Sequence, residues 1–543
     1  MTTPSPPHRV LLRGGRVYSP HSPSATAMLT VDGTIAWIGD SDDASTHLDS
    51  ADQVVELDGA LVTPGFVDAH VHLAQTGFAL QSLDLGTATS GTAALDLIAA
   101  FARGHDAAVL FAYGWDETLW PEQRPITSAE LDRAVGRRVA YVARVDSHSA
   151  VVSTALLDRD PSIVGLDGWR GDGFVAREAH HAARAVTHDL WSPSDRERAL
   201  RVALAHAASQ GLTSVHELNA PHIAPFSDFA TLRTITGATP SPQVVPYWGA
   251  LLGGDVDDAS AAGLQGFAGD LCVDGAVGSH TACMHGRYAD ADTSGHLYLD
   301  RHQIAEHVAL CSERGLQAGF HVIGDRAMAE VVAGFEQAVE KVGIESVVAA
   351  RHRLEHVEMP SPQDVAALAR FGVVASVQPA FDAAWGAADE LYARRLGGRR
   401  ALSMNPFGSM QRAGVVLAFG SDSPITPLDP WAGVRAAVHH HDDTQRLPLS
   451  TAFRAHTRGG HQARGDDEAG LLVPGAQASY AVWNVGADDS RPDQNRPDQN
   501  RPDQNRPDQN RDVLPELHPH HALPTCVRTV VGGVTVYSVE ALA

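Results

Sequence analysis

Short apolar, β-branched runs broken by Gly, Pro, Ser and Asp clusters fill residues 9 to 58: RVLLRGG, AMLTV, TIAWIG and VVELDG. No helical period fits them, so they predict short strands. The far end reads alike, with GLLVPGAQASYAVWNV and CVRTVVGGVTVYS. Two β-rich ends around a different middle predict one small composite β-sandwich, residues 1–62 with 471–543, which brings the chain ends together.

Between these ends the pattern alternates. Apolar residues recur at helical spacing from Asp195 to Gln210 and from His302 to Arg314, then yield at Gly211 and Gly315 to the runs LTSVHE and LQAGFH. That is helix followed by strand. A helix near Arg326 to Lys341 leads to RLEHVE, and one opening at Ser361-Pro362, with Asp364 completing an approximate capping box, leads to VVASVQP; later comes VVLAFGSD. Repeated βα units over residues 63–470 predict an α/β protein built on a (β/α)8 TIM-like barrel. No GxGxxG follows an early strand, which counts against a dinucleotide-binding sheet. The poorer, tryptophan-rich rhythm of about 75–190 predicts an insertion near the barrel mouth. RPDQN, repeated four times over 491–510, has no apolar residue and no net charge, and predicts a disordered loop within the sandwich.

Composition narrows the partners. The chain has 543 residues, with 65 acidic against 41 basic and a formal charge of -24. Such a chain repels nucleic acid and anionic membranes, so neither is expected as a partner. The N-terminus has no signal-peptide pattern, and no run of about 18 apolar residues occurs. Cys272, Cys283, Cys311 and Cys526 are scattered without a CxxC, as expected in a reducing, cytoplasmic setting. Lys341 is the one lysine.

The strongest chemical signal is PGFVDAHVHL, residues 64–73. Positions two apart on a strand face one side, so His70 and His72 point together. At the C-terminal end of a first barrel strand they offer two nitrogen ligands to a metal such as zinc. A lone HxH is weak. Here His321 ends LQAGFH, His356 lies in RLEHVE and Asp422 ends VVLAFGSD, each where a barrel places its active face. A divalent ion in such a cage would bring the pKa of a bound water towards about 7, and Asp422 could pass the nucleophile's proton to a leaving nitrogen.

In order along the chain, PGFVDAHVH, GWDETLW, RVDSHSA, GLTSVHE, DGAVGSHTA, HVIGDRA, RHRLEHVE and GSDSP resemble the amidohydrolase superfamily, in the branch that contains N-substituted formamide deformylase. The resemblance covers most of the chain. It implies metal-dependent hydrolysis of a C–N bond, amide or N-formyl, with His70, His72, His321 and His356 as metal ligands and Asp422 as the metal-linked catalytic carboxylate. It also implies that Trp115, His148 and His216 lie near the substrate, and homodimers are common among similar proteins.

One departure matters. Many members carry a lysine, often carboxylated, on the strand before the DG motif, where it bridges two metals. This chain has GDLCVDG there, with Asp270 at the lysine's place. Asp270 shares strand parity with Cys272 and Asp274 and could face inward. It is several atoms shorter than the modified lysine, so one zinc-like ion is expected in preference to two. Cys272 is expected as a small buried residue, Glu178 as a surface charge, and the histidine-rich runs 439–443 and 518–521 as solvated surface. Two other readings stay open. A single-metal hydrolytic deaminase usually has a glutamate three residues after the later-strand histidine, where this chain has Gly324. A catalytically inactive barrel scaffold would have lost ligands, and all five are present.

Overall fold

Eight parallel strands succeed one another around an axis: Phe66–Val71, Leu212–Asn219, Gln243–Trp248, Gly266–Phe267, Gln317–Val322, Arg353–His356, Val374–Val377 and Val416–Phe419. The computed structural model describes residues 8–253, 263–486 and 513–539. The first and last strands meet through a bridge between Val71 and Ser423. Asp422 N donates to His70 O at 2.8 Å and His72 N to Ser423 O at 3.1 Å. The expected barrel is therefore present, and its seam runs through the HxH and GSDSP motifs.

Residues of the strands Phe66–Val71, Leu212–Asn219, Gln317–Val322, Arg353–His356 and Val374–Val377 are buried along their whole length, polar ones included, because both faces are covered. Three of the helices between them start at capping boxes that the sequence provides. Ser192 and Asp195 form a capping box on Pro193–Ser209, Asp300 and Gln303 on Arg301–Glu313, and Ser361 and Asp364 on Pro362–Phe371. Their apolar faces, with Leu200, Leu204, Ile304 and Leu368, bury against strand residues such as Leu212, Phe320 and Leu354.

GDLCVDG departs from a regular strand. Pairing covers only Gly266–Phe267, breaks where Gly269 takes φ 94°, and resumes as one bridge between Cys272 and His321. Glycine is required at that turn, since a Cβ on Gly269 would sit 3.0 Å from Leu218 Cβ in a left-handed conformation.

Two sheets lie at the chain ends. Arg9–Arg13, Ala27–Val31, Thr34–Gly39 and Gln53–Glu56 form one; Arg16–Val17, Leu61–Pro64, Tyr480–Asn484, Thr525–Val531 and Val534–Ser538 form the other. Val10, Leu12, Met28 and Ile35 share a core with Leu472, Tyr480, Val482 and Val530. The RPDQN repeat lies outside the described residues.

The stretch after the first barrel strand holds a further five-stranded mixed sheet: Leu83–Asp84, Leu110–Trp115, Ala140–Arg144, Ser149–Val152 and Phe174–Ala176. Helix Arg177–Leu190 follows it. No described helix is long and apolar enough to cross a membrane.

Candidate metal centre

The barrel's C-terminal end gathers the residues that the sequence singled out. Nε2 of His72 lies 3.0 Å from Asp422 Oδ1 and 3.2 Å from Asp270 Oδ2. Nε2 of His70 lies 3.3 Å from Asp422 Oδ1 and 3.5 Å from Asp270 Oδ1. The His356 ring is 5.0 Å from that of His70 and 4.4 Å from that of His321, centroid to centroid. Two sets of ligand atoms are close enough to share an ion: His70, His72 and Asp422, and His70, Asp270 and His356.

Two of the imidazoles, His70 and His356, are aimed by another group. Glu355 Oε2 accepts from His70 Nδ1 at 2.9 Å, so Nε2 faces the cage. Arg353 holds Glu355 in turn through Nε at 2.6 Å. Gln378 Oε1 lies 2.8 Å from His356 Nδ1. Asp68, at the parity of His70 and His72, accepts from Ser421 N at 3.0 Å and ties the first strand to the last. Asp274 accepts from the backbone N–H groups of Cys283, Ile323 and Gly324 and so fixes the turn after His321.

Strain marks the same place. His356 has φ 72° and Asp422 φ 54°, a left-handed backbone that costs on the order of 1–3 kcal/mol per non-glycine residue. Strict alternation would put His356 on the side of Leu354, which packs in the helix-facing core. The left-handed turn brings its imidazole to the cage instead.

The buried polar atoms without a hydrogen-bond partner include His70 Nε2, Asp270 Oδ1 and Asp422 Oδ1. Two carboxylates and several imidazoles left open in one place are the donor set that a divalent ion satisfies. The charges respond accordingly. Burial pushes the pKa of both HxH imidazoles down, but the Asp422 and Asp270 carboxylates outweigh it, raising His70 and bringing His72 up to about 9. Burial likewise works against Asp270 and Asp422 as anions, yet the facing imidazoles hold both below the ordinary carboxylate range.

The cage opens into a two-lobed cleft. One lobe, about 450 Å³, is polar, and the other, about 350 Å³, is largely apolar; both reach His148, His321, His356 and Asp422. His148 thus stands beside the cage, its ring 5.2 Å from that of His321.

An amidohydrolase family model matches residues 53–537. The chain belongs to the amidohydrolase family. Membership marks it as a hydrolase, and the donor set above fits a divalent ion. It is 25% identical to the putative amidohydrolase YtcJ of Bacillus subtilis, over 87% of this chain and 94% of that one. It is 22% identical to N-substituted formamide deformylase of Arthrobacter pascens, over 82% and 88%. An uncharacterized metal-dependent hydrolase from Pyrococcus furiosus shares the fold, with TM-score 0.67 and 24% identity over 87% of this chain and 98% of that one.

Two residues expected near an amidohydrolase substrate stand elsewhere. His216 is fully buried; its Nδ1 accepts from Arg353 at 3.0 Å and its ring packs near Tyr247. Trp115 is 1% exposed, stacks near Trp120 and donates to Val142 O. Its neighbours Asp116 and Glu117 grip Arg144, which also lies 3.4 Å from Asp146 in the cleft wall.

Cys272 lines the cleft, where burial and the Asp270 charge push its thiol well up; Glu178 is exposed. The run at 439–443 departs from solvated surface: His440 is fully buried and His441 is half-buried against Asp382. A helix end packs there against the barrel. Both His440 nitrogens are engaged, by Asn405 O and Asp442 N, so this third group of ligand types is a structural contact. Sequence reasoning missed Arg353, Glu355 and Gln378, whose roles arise only when strands pair. It also missed His180, His181 and Arg184. They share one face of Arg177–Leu190 at i, i+1 and i+4, a helical period that could have been read.

Proposed function

We propose that the protein hydrolyses a C–N bond of amide or N-formyl type in a small molecule, using one zinc-like divalent ion. His70, His72, His321, His356 and Asp422 are its ligands, with Asp270 as a further carboxylate donor. The observation that carries this reading is Asp422 Oδ1, buried, without a hydrogen-bond partner, and within 3.0 and 3.3 Å of both HxH imidazoles.

When bound, the ion would polarise the substrate carbonyl and make water a stronger acid. The rest is work for the chain's own groups. Asp422 accepts the proton of the attacking water and delivers it to the leaving nitrogen, which departs as an amine. Glu355 and Gln378 keep His70 and His356 in the orientation that turns Nε2 to the cage. His148 and Asp146 line the space in front of it. One ion is favoured because the two ligand sets share His70, whose other nitrogen is committed to Glu355.

The deaminase reading has a steric problem besides a missing carboxylate. A Cβ on Gly324 would lie 2.1 Å from Cys283 O, so a glutamate does not fit there. The scaffold reading lacks support, because the open donors remain together.

The deciding experiment is hydrolysis by the metal-loaded protein of a panel of N-formyl, N-acyl and cyclic amides, with bound metal counted in the same samples. Amine release that stops on chelation and returns with zinc is expected. No cleavage of any amide would overturn the activity, and two ions per chain would overturn the stoichiometry.

A further inference from the structure

The polar lobe holds a cation that no carboxylate of the described residues claims. Arg184 lines it from helix Arg177–Leu190, donates to Ser147 O at 2.6 Å, and forms no ion pair with a carboxylate among the described residues. Other arginines deep in the protein differ. Arg353 is held by Glu355, Arg196 by Asp228, Arg395 by Glu117 and Asp290, and Arg144 by three carboxylates. Burial, reinforced by Arg184 itself, keeps His180, His181 and His222 below their ordinary pKa, so these neighbours stay neutral. Of the acids in the lobe, Asp146 already faces Arg144 and Ser279, while Asp270 and Asp422 face the cage.

The other lobe has the opposite character. Val277, Ile323, Phe381, Trp385, Leu391 and Tyr392 line it, and the Phe381 ring stacks at 6.0 Å from His356. The reacting centre therefore lies between a lone guanidinium and an apolar wall.

Resting on the hydrolase reading above, we propose that the substrate is a small C–N-linked molecule with a carboxylate on one side of the scissile bond and an apolar group on the other. Arg184 binds the carboxylate, and the lobe around Phe381 and Trp385 takes the apolar part. N-acyl and N-aroyl amino acids are the simplest members of this class. A planar guanidinium matches a carboxylate in two-pronged fashion, and a single guanidinium balances one negative charge better than a phosphate's two.

The test uses N-phenylsulfonylglycine, whose sulfonamide resists hydrolysis, and its uncharged primary amide, titrated calorimetrically into the metal-loaded full chain. The acid should bind at least tenfold more tightly than the amide. In Arg184→Met the ratio should fall to within twofold, and in Arg184→Lys it should stay several-fold. Equal binding of the two by the parent protein, or binding of neither, overturns the proposal. So does a preference that survives Arg184→Met, which would place the anion on the ion or the imidazoles, or a lysine variant no better than the methionine one. Cleavage of N-benzoylglycine, of its uncharged amide N-benzoylglycinamide and of N-formylbenzylamine is measured in parallel. Cleavage without acid preference refutes this inference alone, and acid preference without any cleavage refutes the hydrolase reading alone.

Discussion

Glu355 accepts a hydrogen bond from His70 Nδ1 at 2.9 Å, and so decides which nitrogen of that imidazole meets the cage. Arg353 and the facing His70 outweigh burial and hold Glu355 ionised, with its pKa down at about 2. A carboxylate behind a ligating histidine raises its basicity and fixes its tautomer. Glu355→Gln should therefore weaken metal affinity by roughly 10–100-fold, measured by competition with a chelating dye. Unchanged affinity in a folded variant would remove Glu355 from the metal-holding machinery.

Asp422 carries the proton in the proposed reaction. Asp422→Asn should lower kcat by about 10²–10⁴-fold while the circular dichroism spectrum stays that of the parent. Retained turnover would assign the proton to another group.

Glu217 gives a pH signature of the fold. It is buried on the second barrel strand and its Oε2 accepts from Leu73 N at 2.7 Å. Burial outweighs that hydrogen bond and raises its pKa from 4.5 to about 7. The folded state thus holds a proton that the unfolded state loses first, so this group costs stability as pH rises from about 4.5 to about 7, by on the order of 3 kcal/mol at the limit. Glu217→Gln should match the parent near pH 4 and melt at a higher temperature at pH 8. Equal melting points at pH 8 would show the group is ionised at no cost.

Trp115 separates packing from substrate contact. Truncating so buried a ring costs about 3–5 kcal/mol, so Trp115→Ala should lower the melting transition seen by calorimetry, with KM at low temperature nearly unchanged. A tenfold rise in KM at unchanged stability would return Trp115 to the substrate side.

The barrel was legible because helices and strands differ in period and the caps sit at helix starts, as at Ser361 and Asp364. His70, His72, His321, His356 and Asp422 were legible because all stand at strand ends. His356 arrives by a left-handed turn that no alternation rule predicts. Asp270 could be suspected from parity, but its reach depends on the break at Gly269. The five-stranded sheet before residue 177 was illegible as a sheet, because its strands run for only two to six residues, too few to show a period. His216 and Trp115 show the limit of carrying a role by motif: each position is buried as a motif residue would be, but faces Arg353 or the Val142 carbonyl instead of the cleft.

The seam between the first and last barrel strands has one more consequence. Asp68 and Ser421, 353 positions apart, are joined by the same few bonds that place His70 beside Asp422. Closing the cylinder and bringing the proposed ligands together thus rest on the same contacts, so a nascent chain that has not yet delivered its GSDSP segment has the histidines without Asp422 beside them.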